Sequence, residues 1–270
     1  MIFFALIFFM IYRAGSEKMY EVKVDIGRNI EDTARESGAP KFDFENHWGL
    51  KIYELVDLKP EVVVRFSRPG FEIVATPLFS LTMYADAENN NNLAVESIQL
   101  QYNYRADSHA AAQAFVENII KQFNRGKWRR HIRSICPAIS GRSTYLDEKG
   151  NIYVVCPIDP SYRLAMEEWI KVMGPGGDYE WLGAGVLARL SIKFDDDSRG
   201  LTYNINLEFE DFAIKNRRTA AELARELTEG DKKGWNSSQN HIVSMEKNKV
   251  EIKLLEENAV RRGDPLVIRD

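Results

Sequence analysis

Two cysteines, Cys136 and Cys156, are the residues of this chain best suited to form a covalent cross-link. Each is followed directly by a proline, and a hairpin-like stretch lies between them. In an oxidising compartment a disulfide that closes this loop would stabilise the fold by about 3 kcal/mol. The alternative is a pair of buried free thiols, and we favour the disulfide. Two cysteines and four scattered histidines do not form the ligand cluster of a zinc site.

A group of basic residues surrounds Trp128 in the stretch RGKWRRHIRS. Arginine side chains match the geometry of carboxylate and phosphate groups, so this basic cluster is a candidate surface for an acidic partner or an anionic head group. The alternative is a solvated helix end, where cations interact favourably with the last carbonyl groups. The candidate partner-binding residues are Arg125, Lys127, Arg129, Arg130 and Arg133.

Three adjacent carboxylates, Asp195, Asp196 and Asp197, lie in the stretch FDDDSRG. The stretch lacks the alternating ligands, the glycine and the glutamate at position twelve of an EF-hand calcium loop. We therefore expect a solvated hairpin turn and no metal. The three aspartates are further candidates for contact with a partner.

Motifs typical of catalytic sites are missing from the sequence. There is no G-x-S-x-G nucleophile motif, no phosphate-binding G-x-x-x-x-G-K-[ST] or G-x-G-x-x-G loop, and no H-E-x-x-H zinc motif. Glu167 and Glu168 beside Trp169 are typical of an ordinary helix face rather than of a glycosidase cleft. We expect a protein that is not an enzyme and has no cofactor; an unrecognised hydrolase is the remaining alternative.

The composition is that of a globular protein, with 44% hydrophobic and 28% charged residues. A length of 270 residues allows one large domain or two smaller ones, each with its own core. The net charge of −4 argues against a protein that binds nucleic acid through bulk positive charge.

Two segments of the chain share a pattern of strand followed by helix. Leu207 and Trp235 lie 107 residues after Leu100 and Trp128, so one offset relates both pairs. We infer an internal duplication from this match. The second copy keeps the closing tryptophan without most of the basic cluster, which is expected if the tryptophan packs and the charges are optional. The alternating apolar residues that predict the two strands are Ile98, Leu100 and Tyr102 in the first copy and Ile205, Leu207 and Phe209 in the second.

The predicted helices have recognisable start signals. Asp107 or Ser108 is the expected cap of the first, and Thr219 with Glu222 forms a capping box for the second. A further helix is expected to start at Asp159, after a hairpin over residues 142–155. The C-terminal stretch that ends at Gly263 is predicted to be a long helix, although a hairpin is also compatible with it.

The predicted fold class is α+β, with antiparallel sheets and helices packed on one face of each. Another alternating run precedes each copy of the repeat, so the repeated unit is strand, strand, helix. The glycine-rich stretch at 174–177 separates the copies. We therefore predict two related lobes, residues 16–175 and 176–270.

The N-terminal stretch from Met1 to Tyr12 consists of apolar and aromatic residues, and Arg13 ends it. As a helix it would measure about 18 Å, which is less than the roughly 30 Å of a bilayer core but typical of a signal-peptide apolar region. We interpret residues 1–15 as a membrane anchor or signal-like segment, with the chain from about Ser16 outside the cytoplasm. The alternative is a buried first strand or core helix.

An N-terminal anchor, a duplicated strand-strand-helix body, a pair of cysteines and no catalytic motif together resemble the periplasmic immunity proteins encoded beside type VI secretion effectors. The resemblance lies in the architecture of most of the chain, above all from Cys136 to Trp235. It implies a protein held at the inner membrane that inhibits a cognate effector toxin, with phospholipases as one toxin class, by covering its active site. The alternative is an envelope scaffold or secretion adaptor that binds an effector without inhibiting it.

Overall fold

The computed structural model describes residues 20–88, 90, 92–147, 149, 151–152, 156–198 and 200–269. The predicted anchor at 1–15 lies outside the described residues, as do positions 148, 150 and 153–155 of the predicted hairpin.

The described residues form eleven strands and five α-helices. In chain order the strands are β1 (Tyr20–Val24), β2 (Asp43–His47), β3 (Leu50–Leu55), β4 (Val62–Phe66), β5 (Ile73–Ala75), β6 (Leu78–Asp86), β7 (Ser97–Tyr102), β8 (Arg129–Arg130), β9 (Gly177–Gly183), β10 (Val186–Asp197) and β11 (Gly200–Asp211). The helices are α1 (Ile30–Glu36), α2 (His109–Arg125), α3 (Met166–Met173), α4 (Phe212–Lys232) and α5 (Ser237–Arg262).

The strands form one large and one small sheet. The large sheet has eight strands in the order β2-β3-β6-β7-β11-β10-β9-β8, and all its neighbouring strands are antiparallel. The small sheet has the order β1-β4-β5, in which β1 runs parallel to β4. The predicted α+β class with antiparallel sheets is confirmed; the parallel pair was not foreseen from the sequence.

The repeated hairpins β6-β7 and β10-β11 meet at the centre of the large sheet, where β7 pairs with β11. Leu100 lies opposite Leu207, the residue that the 107-residue offset matches to it. Ile98 lies opposite Phe209, whereas the offset matches Ile98 to Ile205. This exchange of partners is what a two-fold axis through the Leu100–Leu207 pair produces.

The helices that follow the two hairpins differ in their surroundings. α2 is capped by the Ser108 side chain, one of the two predicted caps, and buries six of its residues against the core. α4 begins directly after β11 with Asp211 as its cap, and Gly230 is its one buried residue. The predicted start at Thr219 is therefore wrong, because the hairpin strand continues straight into the helix.

The two matched tryptophans, Trp128 and Trp235, also differ in how far they are buried. Trp128 is 7% exposed and packs edge-on against Phe71 and Phe123, but Trp235 is 64% exposed in the α4–α5 turn. The expectation that Trp235 packs in a core is wrong: its ring is largely exposed, and the Lys233 ammonium lies 4.8 Å from the ring centroid.

Aromatic stacking joins the layers of the body. Phe66 of the small sheet stacks on Phe209 of the large sheet with ring centroids 4.1 Å apart, and Phe123 of α2 stacks on Trp181 of β9 at 3.9 Å. The predicted lobe boundary near residue 175 falls between α3 and β9. The large sheet and its hydrophobic core both continue across this boundary.

The region between the two copies is described only in part. Residues 142–144 form a short 3-10 turn, and an antiparallel bridge joins Leu146 to Ile152, while most of the second strand of the predicted hairpin lies outside the described residues. Asp159 does not cap a helix: α3 begins at Met166, and the Asp159 carboxylate accepts hydrogen bonds from the Gly141 and Ser161 backbone N–H groups at 2.7 and 2.9 Å. Its buried position makes it an anchor for this loop region.

Candidate protein-binding surface

Cys136 and Cys156 form the predicted disulfide, with Cα atoms 5.6 Å apart. The segment after Cys136 is where the C-terminal helix returns to the body. The Ala138 N–H donates to the Glu256 carboxylate of α5 at 2.8 Å, and the Val267 N–H donates to the Ala138 carbonyl at 2.9 Å. The disulfide therefore constrains the loop on which the end of α5 docks.

The basic cluster divides into internal and exposed residues. The Arg130 guanidinium donates to the Ile139 carbonyl at 2.7 Å and lies 3.6 Å from the Asp159 carboxylate. Burial lowers the pKa of Arg130 and the Asp159 charge partly opposes this. Arg133 binds Glu180, so it too is used within the fold. The exposed members are Arg125, Lys127 and Arg129.

Glu180 is a buried carboxylate held between two arginines from different segments. Arg133 Nη2 donates to its Oε1 at 2.7 Å and Arg189 Nε donates to the same oxygen at 2.8 Å. Burial by itself would raise the pKa of Glu180, but the hydrogen bonds and charges of Arg133 and Arg189 outweigh it and hold this pKa below its ordinary value. Such full pairing is typical of a structural carboxylate rather than of a general acid or base.

The predicted acidic turn is part of a strand. Asp195, Asp196 and Asp197 are exposed and continue β10 to its end, opposite Thr202, Leu201 and Gly200. Their side chains alternate between the two faces of the sheet, since successive strand residues do so. No group of three or more His, Cys, Asp or Glu residues that could hold a metal occurs in the described parts of the chain.

α4 and α5 contact each other as a helical hairpin, here called the helical arm. Their 21 and 26 residues bury only Gly230, Ile252 and Ala259. The positive φ of 95° at Gly263 ends α5, as its sequence predicted. Among the described residues, none of the helices combines the length and apolar character needed to cross a membrane.

α5 carries apolar side chains on two opposite faces. Ile252 and Ala259 pack on the body, and Val243 and Val250 precede them by nine residues, or two and a half helical turns. Val243 and Val250 therefore point away from the body. Leu254 shares this side of α5, and Ile242 and Val260 lie about a quarter turn away from it. We call these five exposed residues the outer stripe, and each is at least half exposed: Ile242, Val243, Val250, Leu254 and Val260.

A groove of about 740 Å³ lies between the 90–96 loop and the first half of α4. Arg218 braces it by binding the buried Glu96 carboxylate and by donating to Asp86 at 3.0 Å. Arg217 and Arg225 bring two more cations to the same groove. Its lining residues are Asn90, Glu96, Ile214, Arg217, Arg218, Ala221, Glu222 and Arg225.

The β2-β3 hairpin ends beside this groove. Leu50 at the start of β3 pairs with Asp86, the residue that also binds Arg218. Trp48 occupies the tip of the hairpin and is 96% exposed. The arginine groove, the hairpin tip and the base of α4 thus lie at the same end of the large sheet.

Sequence reasoning missed the groove arginines and Trp48. The signals were present: Arg218 and Arg225 are two helical turns apart on α4, and the Trp48-Gly49 dipeptide separates two strand-like runs. Neither signal indicates exposure, which the packing of other segments decides.

Comparison of the chain with known protein families, with curated proteins and with solved structures finds no match.

Proposed function

We propose that this protein binds another protein in an oxidising compartment and thereby neutralises it. The observation that carries the proposal is the helical arm, whose outer stripe exposes five large apolar side chains along α5. Apolar patches of this kind on a folded protein are typical of interaction sites. The arm ends on the loop closed by the disulfide, so its base is fixed while its outer side remains accessible.

The partner we propose is an antibacterial enzyme delivered by a type VI secretion system, and inhibition would occur by occlusion of its active site. We further propose a periplasmic location, with residues 1–15 as the tether to the inner membrane. The disulfide supports an oxidising compartment. The apolar composition of residues 1–12 supports the tether.

The test is neutralisation in living cells. The chain is exported to the periplasm of a bacterial host together with each secreted enzyme encoded beside its gene, phospholipases first, and survival is counted. We expect the wild-type chain to restore survival against one of them. The double variant Val243→Asp, Val250→Asp should lose this protection because it places two charges in the outer stripe.

A matched control places two aspartates on an exposed helical face of the body. Ala110 and Ala114 of α2 are exposed, so Ala110→Asp, Ala114→Asp should leave protection unchanged. Circular dichroism checks that both double variants fold. Binding of an enzyme without protection would indicate the adaptor alternative, and failure to protect against every neighbouring enzyme would reject the inhibitor function.

A further inference from the structure

We propose that the β2-β3 hairpin is the element that enters the partner, and that Trp48 fills an apolar pocket with a basic rim on the partner's surface. This proposal rests on the proposed function only because it requires a protein partner. It adds to that function the element that is inserted and the chemistry of the partner site that receives the hairpin.

The backbone of the hairpin tip shows that Trp48 is not placed there for the turn. His47 pairs with Leu50, so Trp48 and Gly49 form a two-residue loop, and their φ angles are 51° and 82°. Two-residue loops with positive φ at both positions favour Asn-Gly, and a bulky side chain is disfavoured at positive φ. With 96% of its surface exposed, the Trp48 ring contributes little to the core, and contact with another molecule is the role left to it.

The rest of the hairpin holds the tip in place. All six residues of β3 pair with β6, and the Ala87 N–H donates to the Gly49 carbonyl at 2.8 Å. Phe44 and Tyr53 pack across the two strands with ring centroids 5.0 Å apart. A tip that is already ordered loses little conformational entropy on binding, and tryptophan is among the residues enriched at binding hot spots.

The charges around the tip determine which occupant is favoured. Glu45 and Glu88 are exposed beside the tip. Glu45 binds the His47 ring at 2.7 Å, and the Lys51 ammonium is paired with Glu31 at 2.6 Å. A negatively charged tip favours a partner pocket lined by Lys or Arg. The edge strand of a second copy would bring acidic residues against acidic residues, and an anionic membrane would repel the tip.

The position of the hairpin fits entry into a partner. Asp86 links the two features, because it pairs with Leu50 of the hairpin and binds Arg218 of the groove. A partner that receives Trp48 therefore lies next to the arginine groove at the base of the arm, and the cations of the groove favour acidic groups on the partner outside the basic rim.

The test compares two substitutions of exposed apolar residues by asparagine. Trp48→Asn removes the ring and creates the Asn-Gly loop that such turns prefer, so the melting temperature should be equal to or above that of the wild type. Its Kd for the enzyme that the chain neutralises should rise at least about 30-fold, as for a hot-spot residue. Ile268→Asn is the control, since Ile268 is 93% exposed at a different site, and its Kd should stay within about threefold of the wild type.

Several results would overturn the proposal. Wild-type affinity of Trp48→Asn would reject the hairpin as the inserted element while the proposed function stands. If the wild-type chain binds none of the neighbouring enzymes, both proposals fall. The proposed protein pocket would also be rejected if phosphatidylglycerol or phosphatidylcholine vesicles shift the tryptophan fluorescence of the wild type but not of Trp48→Asn. That result would indicate that Trp48 inserts into lipid.

The basic rim has its own test. Glu45→Lys should slow association with the enzyme by about tenfold at low salt, and the difference should shrink as salt is added. An association rate that is unchanged or faster would exclude a basic rim.

Discussion

Glu180 lies within the large sheet with 1% of its surface exposed, and its two arginine partners come from β10 and from the loop after β8. Removing one member of a buried ion pair leaves the others unpaired, which costs more than the pair contributes. Glu180→Gln should therefore lower the free energy of unfolding by about 3 kcal/mol, measured by urea denaturation at neutral pH. Glu167→Gln, on an exposed face of α3, should change it by less than about 0.5 kcal/mol.

The pH dependence of this effect has a definite sign. The pKa of Glu180 is below its ordinary value of 4.5 in the fold because Arg133 and Arg189 outweigh the effect of burial. Its ionised form thus stabilises the fold above about pH 4.5, and this contribution is lost as the pH falls through the lower folded pKa. The difference in stability between the wild type and Glu180→Gln should shrink as the pH is lowered below 4.5. A difference that grows in acid would contradict this assignment.

At the scale of elements, the disulfide and the end of α5 depend on each other. A cross-link between positions 20 residues apart should contribute about 3 kcal/mol by restricting the unfolded chain. The double variant Cys136→Ser, Cys156→Ser should lose about that much stability, and limited proteolysis should cut α5 sooner because Ala138 no longer holds Glu256 as firmly. Dithiothreitol should destabilise the wild type but leave the double variant unchanged. Equal cleavage rates would contradict the coupling.

The two repeated elements show what local pattern can and cannot predict. The alternation in β7 and β11 specified both strands, because each strand needs one buried face. The helices after them carry similar apolar residues, yet α2 is packed against the core and α4 is exposed. A loop of six residues, 103–108, lets α2 turn back over the sheet, whereas α4 continues from β11 without a break. The length of the connection, rather than the helix itself, decides which helix is buried.

At the scale of the whole molecule, the pairing of β7 with β11 joins the two predicted lobes into one sheet. Leu100 and Leu207 lie opposite each other at its centre and are almost fully buried. Leu100→Ala should cost about 3 kcal/mol, and the urea transitions followed by circular dichroism and by tryptophan fluorescence should shift together. Leu254→Ala, on the outer stripe, should cost less than about 0.5 kcal/mol. Two separate transitions would instead support lobes that unfold independently.

The distribution of exposed groups also belongs to this scale. The arginine groove, the Trp48 tip and the base of α4 lie together at one end of the large sheet because β3, β6 and α4 meet there. They come from residues far apart in the chain. Sequence reasoning selected the basic cluster around Trp128 instead, since it is continuous in the chain and therefore visible as a pattern.

The sequence by itself determined the α+β class, the hairpins β6-β7 and β10-β11, a helix cap at Asp107 or Ser108 and the end of α5 at Gly263, and it favoured the pairing of the two cysteines. These features depend on the local period of apolar residues, on turn and capping residues, and on the fact that the chain has only two cysteines, so that each has one possible partner. Only the tertiary structure decided which charges are neutralised and which apolar side chains are left exposed. Arg133 is neutralised by Glu180, 47 residues away, and Trp128 and Trp235 differ in exposure because other segments cover one and not the other. Burial and charge pairing are properties of neighbours in space, and residues close in sequence do not specify them.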